Sequence, residues 1–396
     1  MPPTILTNTR IVLADNEIDG SLVIEGERIV DISRRRYADG VDLRGAVLSP
    51  GIIDVHTDYI ERELAPRPSA RFPLEMALHM MDLRALSCGL TTIVSAARIS
   101  AEKDGPTGSW RGDGLALARS FEGLAPKLRA NHLIHLRWSP QYDAPEEMLA
   151  QLLELKNIGN LVYNDDMPGE RQFRNLEDQI EQYAQRARVS IEQARAHMQE
   201  RIERARAVNN RLKVKQFLNG RIPLGSHDDT TVEHVMEAHE AGASLCEMPC
   251  SIEAARKARE LGMMICMGAP NYYRGGSHCG NLSCHDALAE GLVDILCSDY
   301  HFPSLLGCAL RMAEEGMPLW SAMKLLTLNP ARHLRIDGET GSIDLGKRAD
   351  LIAFQPRNGY AEVLSVWVRG QQALHVGEAV AAADIAERGK ALTTAN

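Results

Sequence analysis

In PGIIDVHTDYIERE, residues 50–63, an apolar run ends in His56, and Asp58 stands two positions on. Side chains at i and i+2 of a strand share a face, so the two project together from one strand end. An imidazole nitrogen beside a carboxylate oxygen is a donor pair suited to Zn²⁺ or Mn²⁺. The same pattern recurs along the chain. Asp165 and Asp166 follow LVYN, His227, Asp228 and Asp229 follow IPLGS, and Asp299 follows ILCS. Singly, each has an ordinary explanation, because a strand-terminal Asp often caps the next helix and a lone His is usually just hydrogen-bonded. Together, His56, Asp58, His227 and Asp299 on one rim call for a cation.

A second group lies in MGAPNYYRGGSHCGNLS, residues 267–283. Its glycines let backbone amides approach a ligand, and Arg274, Ser277, His278 and Asn281 stand among them. Amides with a guanidinium make a phosphate site. Arg67, Arg137 and Arg171 also lie near strand ends, and one or two of them are expected to join Arg274 on an anionic substrate.

These residues need a scaffold that gathers strand ends. Eight short apolar runs, beginning with the one before His56 and ending at ILCSD (295–299), alternate with helical or loop material. Buried strands separated by helices mean a parallel sheet. Eight of them fit a closed (β/α)₈ TIM-type barrel, whose active site lies at the carboxyl ends of its strands. The rival doubly wound sheet would need a glycine-rich turn after its first strand, and HTDYIERE has none. Short β-like runs with Gly/Asp turns fill both ends of the chain, which predicts a composite β-domain from residues 1–50 and 337–396 around a barrel at 51–336. Residues 174–212 read as a charged helical insert, with Ser190 and Gln193 forming a capping box. Such an insert covers the mouth or a subunit contact, so a homodimer is one expectation.

Among the 396 residues the formal net charge is −9, which argues against nucleic acid or an anionic membrane as partner. No apolar stretch approaches the roughly 20 residues of a membrane span. The start lacks a secretory pattern, and the eight cysteines include no CxxC pair. The expectation is a cytoplasmic protein with reduced thiols.

PGIIDVHTDYIER, PGERQF, SHDDTTVEHV, MGAPNYYRGGSHCGN and SDYHFPSLL together resemble the amidohydrolase superfamily, and within it the diphosphatases of phosphonate breakdown. GSIDLGKRADLIAF resembles the superfamily's C-terminal β-segment. The resemblance implies a hydrolase with one or two divalent metals, Zn²⁺ or alternatively Mn²⁺. Its substrate would be a small phosphorylated molecule, a ribose-linked triphosphate that loses diphosphate. It assigns His56, Asp58 and Asp299 to one metal, His227 to a second, and the role of general base to Asp299. Two positions depart from the subgroup. Ser139 replaces the glutamate of HLRCE, and Asp166 stands where a metal-binding His belongs, so a weakened second site is expected. Hydrolysis of a C–N bond and a non-catalytic barrel are the alternatives.

Overall fold

The computed structural model describes residues 2–67, 70–99, 114–142, 146–165, 167–171, 175–277, 279–357 and 359–376. Two of the sequence-derived site residues, Asp166 and His278, lie outside them.

All eight expected barrel strands form: Ile52–Thr57, Leu90–Ile99, Asn131–Trp138, Ile158–Asn164, Leu224–His227, Leu245–Glu247, Met264–Gly268 and Ile295–Cys297. Each pairs in parallel with the next. The first and eighth close the ring through backbone bonds from Asp299 N to His56 O (3.1 Å) and from Asp58 N to Asp299 O (2.7 Å). Three candidate site residues thus complete the barrel with their own backbones. At the strand's other end Gly51 is obligatory, since a Cβ there would meet Thr91 Oγ1 at 2.2 Å.

Burial explains why these short runs become strands. Ile53, Val55, Val94, Leu245 and Ile295, from four different strands, form one buried cluster with Ala331 and Leu334. Side chains from four strands of a barrel can meet only in its interior. The outward residues, among them Leu136, Leu161, Tyr163 and Leu296, join helix residues such as Leu78, Phe121 and Val235 in the main core. Each full burial of such a side chain is worth about 1.5–3 kcal/mol.

The chain's two ends build a second sheet in the order 371–375, 360–368, 351–357, 47–50, 4–12, 17–25, 28–33, with 41–42 beside 4–12. Its core includes Leu6, Ile11, Leu22, Ile24, Leu351 and Trp367. Chain termini far apart in sequence therefore share one sheet.

The insert consists of helices Leu176–Ala187, Ile191–Ala207 and Arg211–Leu218. The capping box is present: Ser190 Oγ accepts from Gln193 N (3.2 Å) and Gln193 Oε1 from Ser190 N (3.0 Å). Among the described residues, no helix is long and apolar enough to cross a membrane.

Candidate metal centre and anion loop

Three strand ends carry non-glycine residues with left-handed backbones, Asp228 (φ 59°), Met248 (φ 51°) and Asp299 (φ 56°). Such residues are uncommon and concentrate where function constrains the chain. They follow His227, Glu247 and Ser298, and turn the rim sharply as each strand ends. The first strand carries a register shift between Asp54 and Thr57, a bulge of the kind that re-aims side chains beside active sites.

At this rim His56, His135 and His227 surround Glu247. His56 Nδ1 lies 3.1 Å from Glu247 Oε1, His135 Nε2 3.5 Å from Oε2, and His227 Nε2 3.9 Å from Oε2. All four residues are buried. Register accounts for part of this, because His227 and Glu247 are direct partners across their parallel strands. His56, Asp58 and Asp299 also converge, with ligand atoms within 4.8 Å of one another, and His56 belongs to both groups. Arg137 flanks them, its Nη1 3.4 Å from Asp58 Oδ2 and its Nε donating to Asn164 Oδ1 at 2.5 Å.

Charge at this centre is unbalanced. Burial alone would lower the pKa of His56, yet Glu247 and Asp58 outweigh it and hold the imidazole well above its usual value. Buried carboxylates are drawing positive charge into the space between them, either a proton or a cation. Burial pushes His135 down to about 3, against the pull of Glu247, so it stays a neutral imidazole. Burial also raises Asp299 above the usual carboxylate range, with the opposing charge of His56 as the next influence. Burial would raise Asp58 too, but the Arg137 guanidinium holds it well below that range.

Whether the residues suit a metal is answered by their buried polar atoms. Both nitrogens of His56 and of His227, His135 Nε2 and both oxygens of Glu247 are buried without a well-aligned hydrogen bond. They meet one another or Asp228 as ion-pair contacts instead, His56 Nδ1 to Glu247 Oε1 at 3.1 Å and His227 Nδ1 to Asp228 Oδ2 at 2.8 Å. A buried polar atom without a good hydrogen bond costs about 1–3 kcal/mol, and a bound cation would satisfy the imidazole nitrogens and the Glu247 carboxylate together. Nitrogen and carboxylate donors suit Zn²⁺ or Mn²⁺. Among the described residues, the set fits a divalent ion.

The anion loop opens onto a cavity that reaches the rim at Asp299. That cavity is lined by Arg274, Ser277 and Asn281 together with Asp228, Asp299 and Tyr300. Helix Ala269–Arg274 ends at Gly275, whose left-handed backbone (φ 82°) turns the chain into the loop. Asn271 ties the loop's far end down, donating to Leu282 O (2.9 Å) and accepting from Cys284 N (3.0 Å).

The remaining expected phosphate contacts lie elsewhere. Arg171 is buried between Asp229 (2.6 Å) and Asp165 (3.2 Å). Arg67 is exposed, its backbone bridged to that of Ala70. Ser139 Oγ bonds to Gln141 Oε1 (3.0 Å), and the acid facing the histidines is Glu247, on another strand. Glu247 and His135 were overlooked in the sequence. Glu247 carried the same signal as His56, a polar residue closing an apolar run in SLCEMP. His135 sits mid-strand in HLIHLRW, where only its two-residue spacing from Arg137 hints at an inward face.

A barrel with a histidine–carboxylate centre at its rim and a composite terminal sheet defines a class of metal-binding hydrolase folds. The Amidohydrolase family matches residues 172–373, and the chain belongs to that family. Alpha-D-ribose 1-methylphosphonate 5-triphosphate diphosphatase of Escherichia coli is 33% identical over 382 residues, covering 93% of this chain and 99% of that protein. A dihydroorotase of a Wolbachia species is 26% identical over 167 residues, 40% of this chain and 33% of its own length. Among solved structures, a D-hydantoinase superposes with TM-score 0.63 at 15% identity, covering 96% of each chain. Dihydropyrimidinase from Brevibacillus agri gives 0.62 at 15% identity, covering 94% of this chain and 95% of its own.

Proposed function

We propose that this amidohydrolase is a metal-dependent diphosphatase acting on a ribose-linked triphosphate, the reaction named for its E. coli relative. The observation that carries the reading is the shared cavity, where Arg274, Ser277 and Asn281 face Asp299. A guanidinium and two neutral donors beside an acid are what a polyphosphate needs next to a proton acceptor.

A divalent ion at the histidine–Glu247 centre would acidify a water and draw charge off a phosphoryl oxygen. His56, His135, His227 and Glu247 would hold it, with Asp58 and Asp299 beside His56 as further donors. Asp299 takes the proton of the attacking water. The water oxygen bonds to the phosphorus nearest the ribose, and the bond to the outer two phosphates breaks. Diphosphate leaves with that bond's electron pair and the ribose 5-phosphate remains. Arg274 neutralises charge on the departing phosphates, while Arg137 fixes Asp58.

The small phosphorylated substrate and the free thiols fit a cytoplasmic location. Of the rival C–N substrates, a neutral cyclic amide such as hydantoin would give Arg274 no charge to meet, and dihydroorotate would offer a single carboxylate in place of a triphosphate. Incubation with α-D-ribose 1-methylphosphonate 5-triphosphate and, separately, with dihydroorotate and hydantoin tests the choice. Release of diphosphate with untouched rings is expected, whereas ring opening without diphosphate release overturns the reading.

A further inference from the structure

The histidines occupy only one side of Glu247. On the other, Glu247 pairs in register with Cys266 on the seventh barrel strand. Cys297 lies two residues beyond Ile295, the register partner of Cys266 on the eighth strand. Residues two apart on a strand share a face, so both thiols turn to the same interior wall as Glu247. The three side chains are buried, and one ligand atom from each lies within 4.8 Å of the others.

We propose that Glu247, Cys266 and Cys297 form a second, sulfur-rich site, sharing Glu247 with the histidine centre, for a thiophilic divalent ion such as Cd²⁺ or Zn²⁺. Zn–S bonds of about 2.3 Å put two coordinating sulfurs roughly 3.8 Å apart, a closure that small side-chain rotations supply. Glu247 sets a fully buried carboxylate beside the two thiols, its oxygens 3.1–3.9 Å from the imidazoles of His56, His135 and His227 on its other side. Thiols add the softness that the histidine side lacks, so this site prefers Cd²⁺ and Zn²⁺ and ignores Mg²⁺. Without an ion the thiols stay protonated, Cys266 through burial and Cys297 through its contact with Cys266 and through burial. An arriving ion displaces both thiol protons to solvent and forms two metal–sulfur bonds. Glu247 is common to both sites, so an ion on the sulfur side competes for the acid that the histidine centre uses. The site does not depend on the identity of the substrate.

The test uses the full chain stripped of metal by a chelator and titrated with Cd²⁺. Ultraviolet absorbance follows sulfur-to-cadmium charge transfer, and a pH indicator follows proton release. The expected result is a saturable band with about two protons released per ion bound to sulfur, and no response to Mg²⁺. Cys266→Ser and Cys297→Ser should each lose most of the band, and Cys250→Ser should keep it. A wild-type protein with no band overturns the site, as does an undiminished band in either folded serine variant. X-ray absorption at the cadmium edge of the wild type gives a readout that needs no variant. Sulfur neighbours support the site, and nitrogen and oxygen alone refute it.

Discussion

Glu247 is a carboxylate in the barrel interior whose neighbours are imidazoles, His56 Nδ1 3.1 Å from Oε1 and His135 Nε2 3.5 Å from Oε2. Such a group is costly unless positive charge accompanies it. Glu247→Gln keeps the shape and removes the charge, so its two effects should differ in sign. Stripped of metal, the variant should unfold at the same temperature as the wild type or higher. With Zn²⁺ added, the wild type should gain stability by mass action while the variant gains little, as thermal melts with elemental analysis would show. Asp299→Asn removes the proton acceptor without altering size. A general base contributes about 10²–10⁴-fold, so kcat should fall by roughly that factor, with the circular dichroism spectrum unchanged. His333, buried beside Asn160 (3.2 Å), reports on pH instead. Burial lowers its pKa to about 4, below the unfolded value of about 6.5. Unfolding therefore takes up a proton in that window, and stability should fall as pH drops from about 6.5 to 4, by up to about 3 kcal/mol. Denaturant melts of the wild type and of His333→Gln, whose curve should be flatter, check the sign.

Single side chains act only where elements hold them. Helix Leu74–Ser87 is fixed to the barrel by Asp82, which accepts from Ala130 N (2.9 Å) and Arg129 N (3.1 Å) and lies 3.0 Å from His132 Nε2. Burial would raise the Asp82 carboxyl, but the bond to His132 and its charge hold it below the usual value. Its folded pKa is depressed, so its contribution is present above pH about 4. That contribution is lost as pH falls through the folded pKa. Asp82→Asn should cost about 3 kcal/mol, measured by urea unfolding at neutral pH, and the loss should shrink toward pH 3. The capping box at Ser190 was legible because its rule is local: an acceptor hydroxyl and an amide three residues apart. So were the eight strands, since each is a short apolar run bounded by polar residues. The position of Glu247 was less legible. An acid in a three-residue strand reads equally as a surface residue, and only the register with His227 and Cys266 shows that it faces inward. The surroundings of Arg171 were hidden for a related reason: it pairs with both Asp165 and Asp229, and no sequence pattern joins the three.

Across the whole molecule, the barrel, the composite sheet and the family followed from periodicity and motif, while the composition of the centre did not. The replacement of a motif glutamate by Ser139 led to the expectation of a weakened second site, and the acid that lies among the histidines is Glu247 on the sixth strand. A barrel converges eight strand ends on one small volume, and a motif read strand by strand does not show which side chains meet there. The anion loop belongs to this scale too, since Arg274 matters only through its place opposite Asp299. Arg274→Ala should raise KM for the triphosphate by about ten- to a hundred-fold, the loss of a charge-assisted contact worth about 1.5–3 kcal/mol, with bound metal unchanged.

The most direct test of a histidine–glutamate metal centre serving phosphoanhydride hydrolysis is metal reconstitution followed by product analysis. Protein stripped by chelator and then titrated with Zn²⁺ or Mn²⁺ is given α-D-ribose 1-methylphosphonate 5-triphosphate, and diphosphate is quantified against metal bound. Diphosphate release that is absent without metal and rises in step with bound ion is the predicted result. Full activity in the stripped protein, or stoichiometric metal binding with no diphosphate released, would contradict it.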